Sequence, residues 1–174
     1  MEDTATMINH VSPLLIPGPL QTRDYAEAIM SAGNLSSDEA AKRVAIRMRR
    51  QAMLTRDDPV KYLAFIGEAA LGQIIGDRSA MRAQFAHLLK MAQRPNVVVR
   101  VMPSDRGWHP GLDGPFIFLL SANQVPIVHL ELRRTSTFLH EEDDINAYRD
   151  ALDMINKVAL TPTASAQLIM ERMS

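Results

Sequence analysis

Three short runs of β-branched and apolar residues, VVVRVM at 97–102, PFIFLL at 115–120 and VPIVHLEL at 125–132, follow one another in the second half of the chain. Each is bounded by loop-forming residues and is shorter than an ordinary helix, so they are expected to form three strands of one sheet. SANQ, between the second and third runs, is short enough for a hairpin. PSDRGWHPGLDG, between the first and second, is too long for a tight turn.

The remainder reads mostly as helix. Residues 11–22, VSPLLIPGPLQT, hold three prolines and a glycine and are expected to be a hydrophobic loop leading into a helix. Thr22 is the N-cap expected for that helix, with Tyr25, Ala28, Ile29 and Ala32 on one face before Gly33 stops it. Ser36 and Glu39 have capping-box spacing, and Ala41, Val44, Ala45, Met48 and Ala52 carry a second helix to about Thr55. After Asp57, Asp58 and Pro59, VKYLAFIG alternates well enough to be a strand. Two helices follow, a short one over 68–75 and a longer one from Ser79 with Met81, Phe85, Leu88, Leu89 and Ala92 as its apolar stripe. Beyond the strands, the acids from Glu141 to Asp144 suit the start of a helix through Val158, and a last helix runs from about Thr163 to Arg172. The order gives an α+β fold: mainly helical N-terminal and C-terminal parts around a small, mostly antiparallel sheet. With 174 residues, 47% of them hydrophobic, the chain is expected to be a single domain over 1–174.

Charge and composition exclude several functions. Nineteen basic and twenty acidic side chains leave a net charge of -1, so no overall pull toward nucleic acid or an anionic membrane is expected. There is no cysteine, which rules out disulfides, thiolate nucleophiles, iron–sulfur clusters and the usual structural zinc sites, and fits a cytoplasmic location. No apolar run approaches the roughly 20 residues of a membrane span, and residues 1–10 carry acids where a secretory signal has lysine or arginine. His10, His87, His109, His129 and His140 are not paired at ligand spacing, so neither a metal nor any other cofactor is expected. No G-x-S-x-G is present for a nucleophile elbow. Glu68 and Glu131 could form a carboxylate pair, although at strand ends a satisfied structural carboxylate is commoner.

Two segments carry candidate chemistry. RGWHPGLDG at 106–114 gathers the only tryptophan, a histidine, an acid and three glycines in one loop, and such loops often line sites. Its glycine spacing fits neither a dinucleotide fingerprint nor a phosphate loop. The second segment is basic: Lys42, Arg43, Arg47, Arg49, Arg50 and Arg56 contain no acid among them, and Arg43, Arg47 and Arg50 share one helical face suited to phosphate or an acidic partner. A solvated or internally paired face is the commoner fate of such a stretch. Trp108, His109, Arg50 and Gln51 are the expected ligand-binding residues, and His109 is the acid–base candidate should the protein be an enzyme. The methionines mostly fall on apolar faces, as core filling does. Leu168, Ile169, Met170 and Met173 leave the last helix few polar positions, which would also suit a partner or an apolar ligand.

The succession IPGPLQTRDYA, RMRRQ, a strand leading into EAAL, QFAHLL, VVVRVMP, GPFIFL and VHLE resembles the effector domain that follows the helix-turn-helix in actinobacterial Xre-type regulators, a domain described as antitoxin-like. The most specific pieces are the PG-x-LQT-x-x-YA segment at Pro17–Ala26 and the R-x-x-RQ segment at Arg47–Gln51. Pro19 stands where that family usually has leucine, and Gly67 where an acid commonly precedes Glu68. The chain starts where the effector domain starts, so the helix-turn-helix is expected to be absent here. The resemblance implies a noncatalytic regulator effector domain that binds a small apolar ligand or a small partner protein and self-associates as a homodimer. The alternative is a stand-alone, cofactor-independent cyclase or isomerase acting on an apolar intermediate of natural-product biosynthesis.

Overall fold

The computed structural model describes residues 5–33, 35–123, 125–131 and 135–173. Its centre is a strand that composition had hidden. β1 (Ala5–Ser12) lies in the middle of a six-stranded sheet, between β2 (Lys61–Gly67) and β4 (Phe116–Ser121). β3 (Val97–Met102) forms one edge beyond β2, and β5 (Pro126–Glu131) and β6 (Ser136–Leu139) complete the other side in the order β3-β2-β1-β4-β5-β6. The class is α+β, as the element order implies, but the sheet is larger than a small meander and is mixed. β1 pairs parallel with β2 and β2 with β3, whereas β1–β4, β4–β5 and β5–β6 are antiparallel. The hydrophobic loop expected over 11–22 therefore begins two residues too early, since Val11 and Ser12 still belong to β1.

The helices fill the two crossovers and the C-terminus. Between β1 and β2 lie α1 (Arg23–Ser31) and α2 (Ser37–Arg50), followed by a 3-10 turn over Gln51–Leu54 where one continuous helix to Thr55 was expected. Between β2 and β3 lie α3 (Glu68–Gly72) and α4 (Arg78–Met91), and after β6 come α5 (Glu142–Val158) and α6 (Pro162–Arg172). Side-chain caps set the starts of several. Thr22, Ser36, Asp77 and Thr161 each accept a hydrogen bond from the backbone N–H three residues on, which satisfies a donor that the first turn leaves unpaired.

Alternation along the strands sends apolar side chains to both faces. Ile8, Tyr62, Ala64, Ile66, Val97, Val99, Val101, Ile117 and Leu119 pack on one face with Tyr25, Phe85, Leu88 and Ile169 from α1, α4 and α6. Val11, Phe65, Phe116, Phe118 and Val128 pack on the other with Ile145 and Ile155 of α5. β3 is tied to the C-terminal helices by polar bonds: Val101 N–H donates to the buried Ser165 Oγ at 2.8 Å, and Arg100 donates to the carbonyls of Ala159 at 2.6 Å and Leu160 at 2.7 Å. A guanidinium there satisfies carbonyls just past the end of α5. Gly67, at the end of β2, is set by contact: a Cβ there would lie 2.1 Å from the carbonyl oxygen of Pro13, so no larger residue fits without moving that backbone.

Candidate functional site

The residues singled out from sequence do not converge on one pocket. They divide between the two faces of the sheet, where two cavities share only Pro115, Phe116 and Glu131.

The larger cavity, about 640 Å3, lies on the α5 face and is lined by Trp108, Pro110, Phe116, Leu130, Tyr148, Ala151 and Met154, with Asp113, Asp150 and Glu131 among its polar groups. Trp108 is 65% exposed although it lines this space, and the loop that carries it turns through Gly107 and Gly114, both at positive φ. Phe116 and Tyr148 meet edge to face with centroids 4.9 Å apart. Burial, then Asp144 and Asp113, raise the Tyr148 pKa, so the phenol keeps its proton and can donate a hydrogen bond.

His109, next to Trp108, points the other way. It is 2% exposed, its Nδ1 and the Met102 sulfur both crowd Gly111, where a Cβ would lie 2.9 and 2.8 Å from them, and it is not among the residues that line the Trp108 cavity. Its Nδ1 is shielded from solvent without a hydrogen-bond partner among the described residues. Burial lowers its pKa against a smaller opposing effect of Asp113, which favours a neutral ring in the interior.

The smaller cavity, about 240 Å3, lies on the opposite face between α2, the loop at 15–21 and strands β1, β4 and β5. Its polar lining is Arg47 and Arg50 from α2, His10 and Ser12 from β1, His129 and Glu131 from β5, and Gln21. His10 Nδ1 lies 2.8 Å from Tyr62 Oη. Desolvation, reinforced by Arg50 and then His129, drives the His10 pKa down to about 3, so the imidazole is neutral at ordinary pH. Desolvation also lowers the Arg47 pKa, against the opposing charge of Glu131. His129 is stacked by Phe138 of β6, with the ring centroids 4.5 Å apart.

The family-like segments build the wall of this cavity. Arg47 Nη1 donates to Gln21 Oε1 at 2.8 Å, and Gln21 Nε2 donates to the carbonyl of Ile16 at 2.7 Å. Gln51 Nε2 donates to the carbonyl of Gln21. Gln84, fully buried on α4, donates to the carbonyl of Leu20 and accepts from Thr22 N–H, each at 2.7 Å. Tyr25 Oη accepts from Ile16 N–H at 3.3 Å. Gln51 thus positions the loop and does not line the cavity, whereas Arg50 does line it. In the sequence His10 and His129 counted only against a metal site, because neither has a neighbour at ligand spacing and nothing local shows that β1 and β5 bring them to one cavity.

Glu68 and Glu131 are not a pair. Both stand at the same end of the sheet, but β1 and β4 separate their strands, so they are about 14 Å apart at a spacing of about 4.8 Å per strand. Glu68 instead accepts from Ser104 N–H at 3.0 Å, Ser104 Oγ at 2.7 Å and Arg172 at 2.8 Å, and these bonds lower its pKa. No helix among the described residues is long and apolar enough to cross a membrane.

A mixed sheet clad by helices on both faces, with the Trp108 cavity on one and the Arg47–Arg50 cavity on the other, defines an α+β domain. The chain belongs to the family described as "Domain of unknown function (DUF5753)", whose family model matches residues 1–171. No curated protein and no solved structure matches it.

Proposed function

We propose that this chain is a noncatalytic effector domain that binds a small apolar ligand, or an apolar group of a small partner protein, in the cavity lined by Trp108, Phe116 and Tyr148. The observation that carries the reading is the cavity itself: about 640 Å3, walled mainly by aromatic and aliphatic side chains with a few carboxylates. Sites for small molecules commonly have this make-up and a volume of about 300–1,000 Å3. The PGPLQTRDYA and RMRRQ segments support relating the domain to the antitoxin-like effector domains of Xre-type regulators, in which ligand or partner binding in the cytoplasm would be the signal. An exposed rim of Trp108, Leu112 and Met154 would serve a partner or a second copy equally well.

Octanol, a neutral apolar probe, tests this directly. Its binding by calorimetry should be accompanied by a change in emission from Trp108, the only indole in the chain. Binding that leaves the emission unchanged and survives both Trp108→Ala and Tyr148→Ala would place the site elsewhere.

A cofactor-independent cyclase or isomerase is the second reading, favoured by neutral His10 beside Tyr62 in the opposite cavity. His109 gives it no support, since that ring is turned into the interior.

A further inference from the structure

The 240 Å3 cavity on the α2 face has a chemistry unlike that of the apolar cavity, and the reading above leaves it without a role. Two arginines from successive turns of α2, Arg47 and Arg50, reach it, against one lining carboxylate, Glu131 from β5. Two imidazoles, His10 and His129, and the Ser12 hydroxyl form its sheet side. Gln21, Gln51, Gln84 and Tyr25 hold the loop at 15–21 by hydrogen bonds to its backbone, so the cavity wall is braced by the chain's own bonds.

We propose that this cavity binds the carboxylate or phosphate group of a small molecule, with Arg47 and Arg50 as its charge partners and the His10 and His129 rings as hydrogen-bonding groups on the sheet side. Three observations select an anion. Cationic side chains outnumber carboxylates among the lining residues. A guanidinium carries five N–H donors in a planar fork that suits carboxylate and phosphate, and Arg47 spends an Nη1 bond on Gln21. Arg47 and Arg50 are both half-buried where they line the cavity, so water screens their charges less than it would on an open surface. Size sets the scale: this space falls below the usual range for drug-sized ligands and suits a phosphate ion or a small organic acid. His10 is flanked by Arg47 and Arg50 from α2, His129 and Glu131 from β5, and Tyr62 from β2. With Nδ1 engaged by Tyr62 Oη, Nε2 is the ring nitrogen left for a bound group, and in the neutral ring whose Nδ1 accepts from Tyr62 it carries the N–H that donates to an anion.

The experiment is a titration of the 15N-labelled full chain, at constant ionic strength, with inorganic phosphate, benzoate and benzamide, followed through the histidine ring nitrogens. Phosphate or benzoate should shift the His10 and His129 signals saturably while those of His87 on α4 stay in place. Comparing the two anions decides between phosphate and carboxylate as the preferred group. Benzamide, which has the shape of benzoate without its charge, should produce no such shift, and Arg50→Gln should weaken the anion by about tenfold or more. Arg47→Met repeats that test from the other side, with the melting temperature recorded because Arg47 also touches Gln21. Equal shifts with benzamide and benzoate overturn the proposal in the wild-type protein alone. So does an absence of shift with either anion up to about 50 mM, or an affinity that both arginine variants leave unchanged. Failure here leaves octanol binding at Trp108 intact, because the two cavities lie on opposite faces.

Discussion

On the α2 side of the sheet the cavity wall is tied by side-chain amides: Gln21, Gln51 and Gln84 each bond to loop backbone, and Arg47 is braced by Gln21. On the α5 side the wall consists of Trp108, Phe116, Tyr148 and Met154, held by ring contacts and burial. The difference follows from what each cavity contains. Hydrogen bonds and charges act only at the right distance and angle, so a polar cavity needs a fixed frame. Apolar attraction is non-directional and tolerates a rim that moves, such as an exposed tryptophan on a loop with two positive-φ glycines.

The heaviest blow to the framed side should come from Gln84→Ala. It removes two bonds to loop backbone at 2.7 Å and leaves a space in the core. A loss of about 3 kcal/mol in urea unfolding is expected. A loss below about 1 kcal/mol would mean that the amide lattice does not hold the loop, and the contrast between the faces would collapse.

Acid probes the same side through His10. The folded pKa of about 3 lies below the 6.5 of an unfolded histidine, so between those values the unfolded chain binds a proton that the folded chain refuses. Stability from this group is therefore complete above about pH 6.5 and falls as the pH is lowered toward about 3. His87 and His109, whose pKa values burial also lowers, act in the same sense. The melting temperature should fall as the pH is lowered from about 6.5, and His10→Gln should make that acid slope shallower. An unchanged slope would show that the folded protein does not hold this ring neutral in acid.

The α5 side should respond more weakly. His109→Leu replaces a ring whose Nδ1 is buried without a partner among the described residues, so it should cost less than about 1 kcal/mol and leave octanol binding intact. Lost octanol binding in a folded His109→Leu protein would move the site toward that ring. Smallest in stability is Trp108→Ala, expected within about 0.5 kcal/mol of wild type by thermal melting because the indole is mostly exposed. Its octanol affinity should nevertheless fall by about tenfold.

Sequence reasoning located the elements whose residues agree with one period. The Thr22 and Ser36 caps, the acidic start of α5 and the alternation in β2 all stand where the pattern placed them. β1 escaped because Thr6, Asn9 and His10 interrupt its apolar run, and His10 does so because it lines a cavity. Without β1, the two parallel crossovers of the N-terminal half could not be seen, and the sheet looked small. β6 escaped for a different reason, since a short, mostly exposed edge strand needs little apolar character. In the candidate sites, Trp108 and Arg50 were legible as unusual residues. That they face opposite sides of the sheet depends on strand parity and on which helix covers which face, information carried by tertiary packing rather than by local pattern.

The central place of β1 also constrains the route by which the chain folds. Ile8 pairs with Tyr62 on one side and with Leu119 on the other, so the strand that unites the sheet closes its second edge only after most of the sequence has been made. Loop closures of that length are entropically costly and slow assembly. Until β4 arrives, a nascent β1-β2-β3 unit presents one side of β1 as an open row of backbone donors and acceptors, a template for pairing with another chain. Synthesis halted before residue 115 should therefore yield a species prone to aggregate.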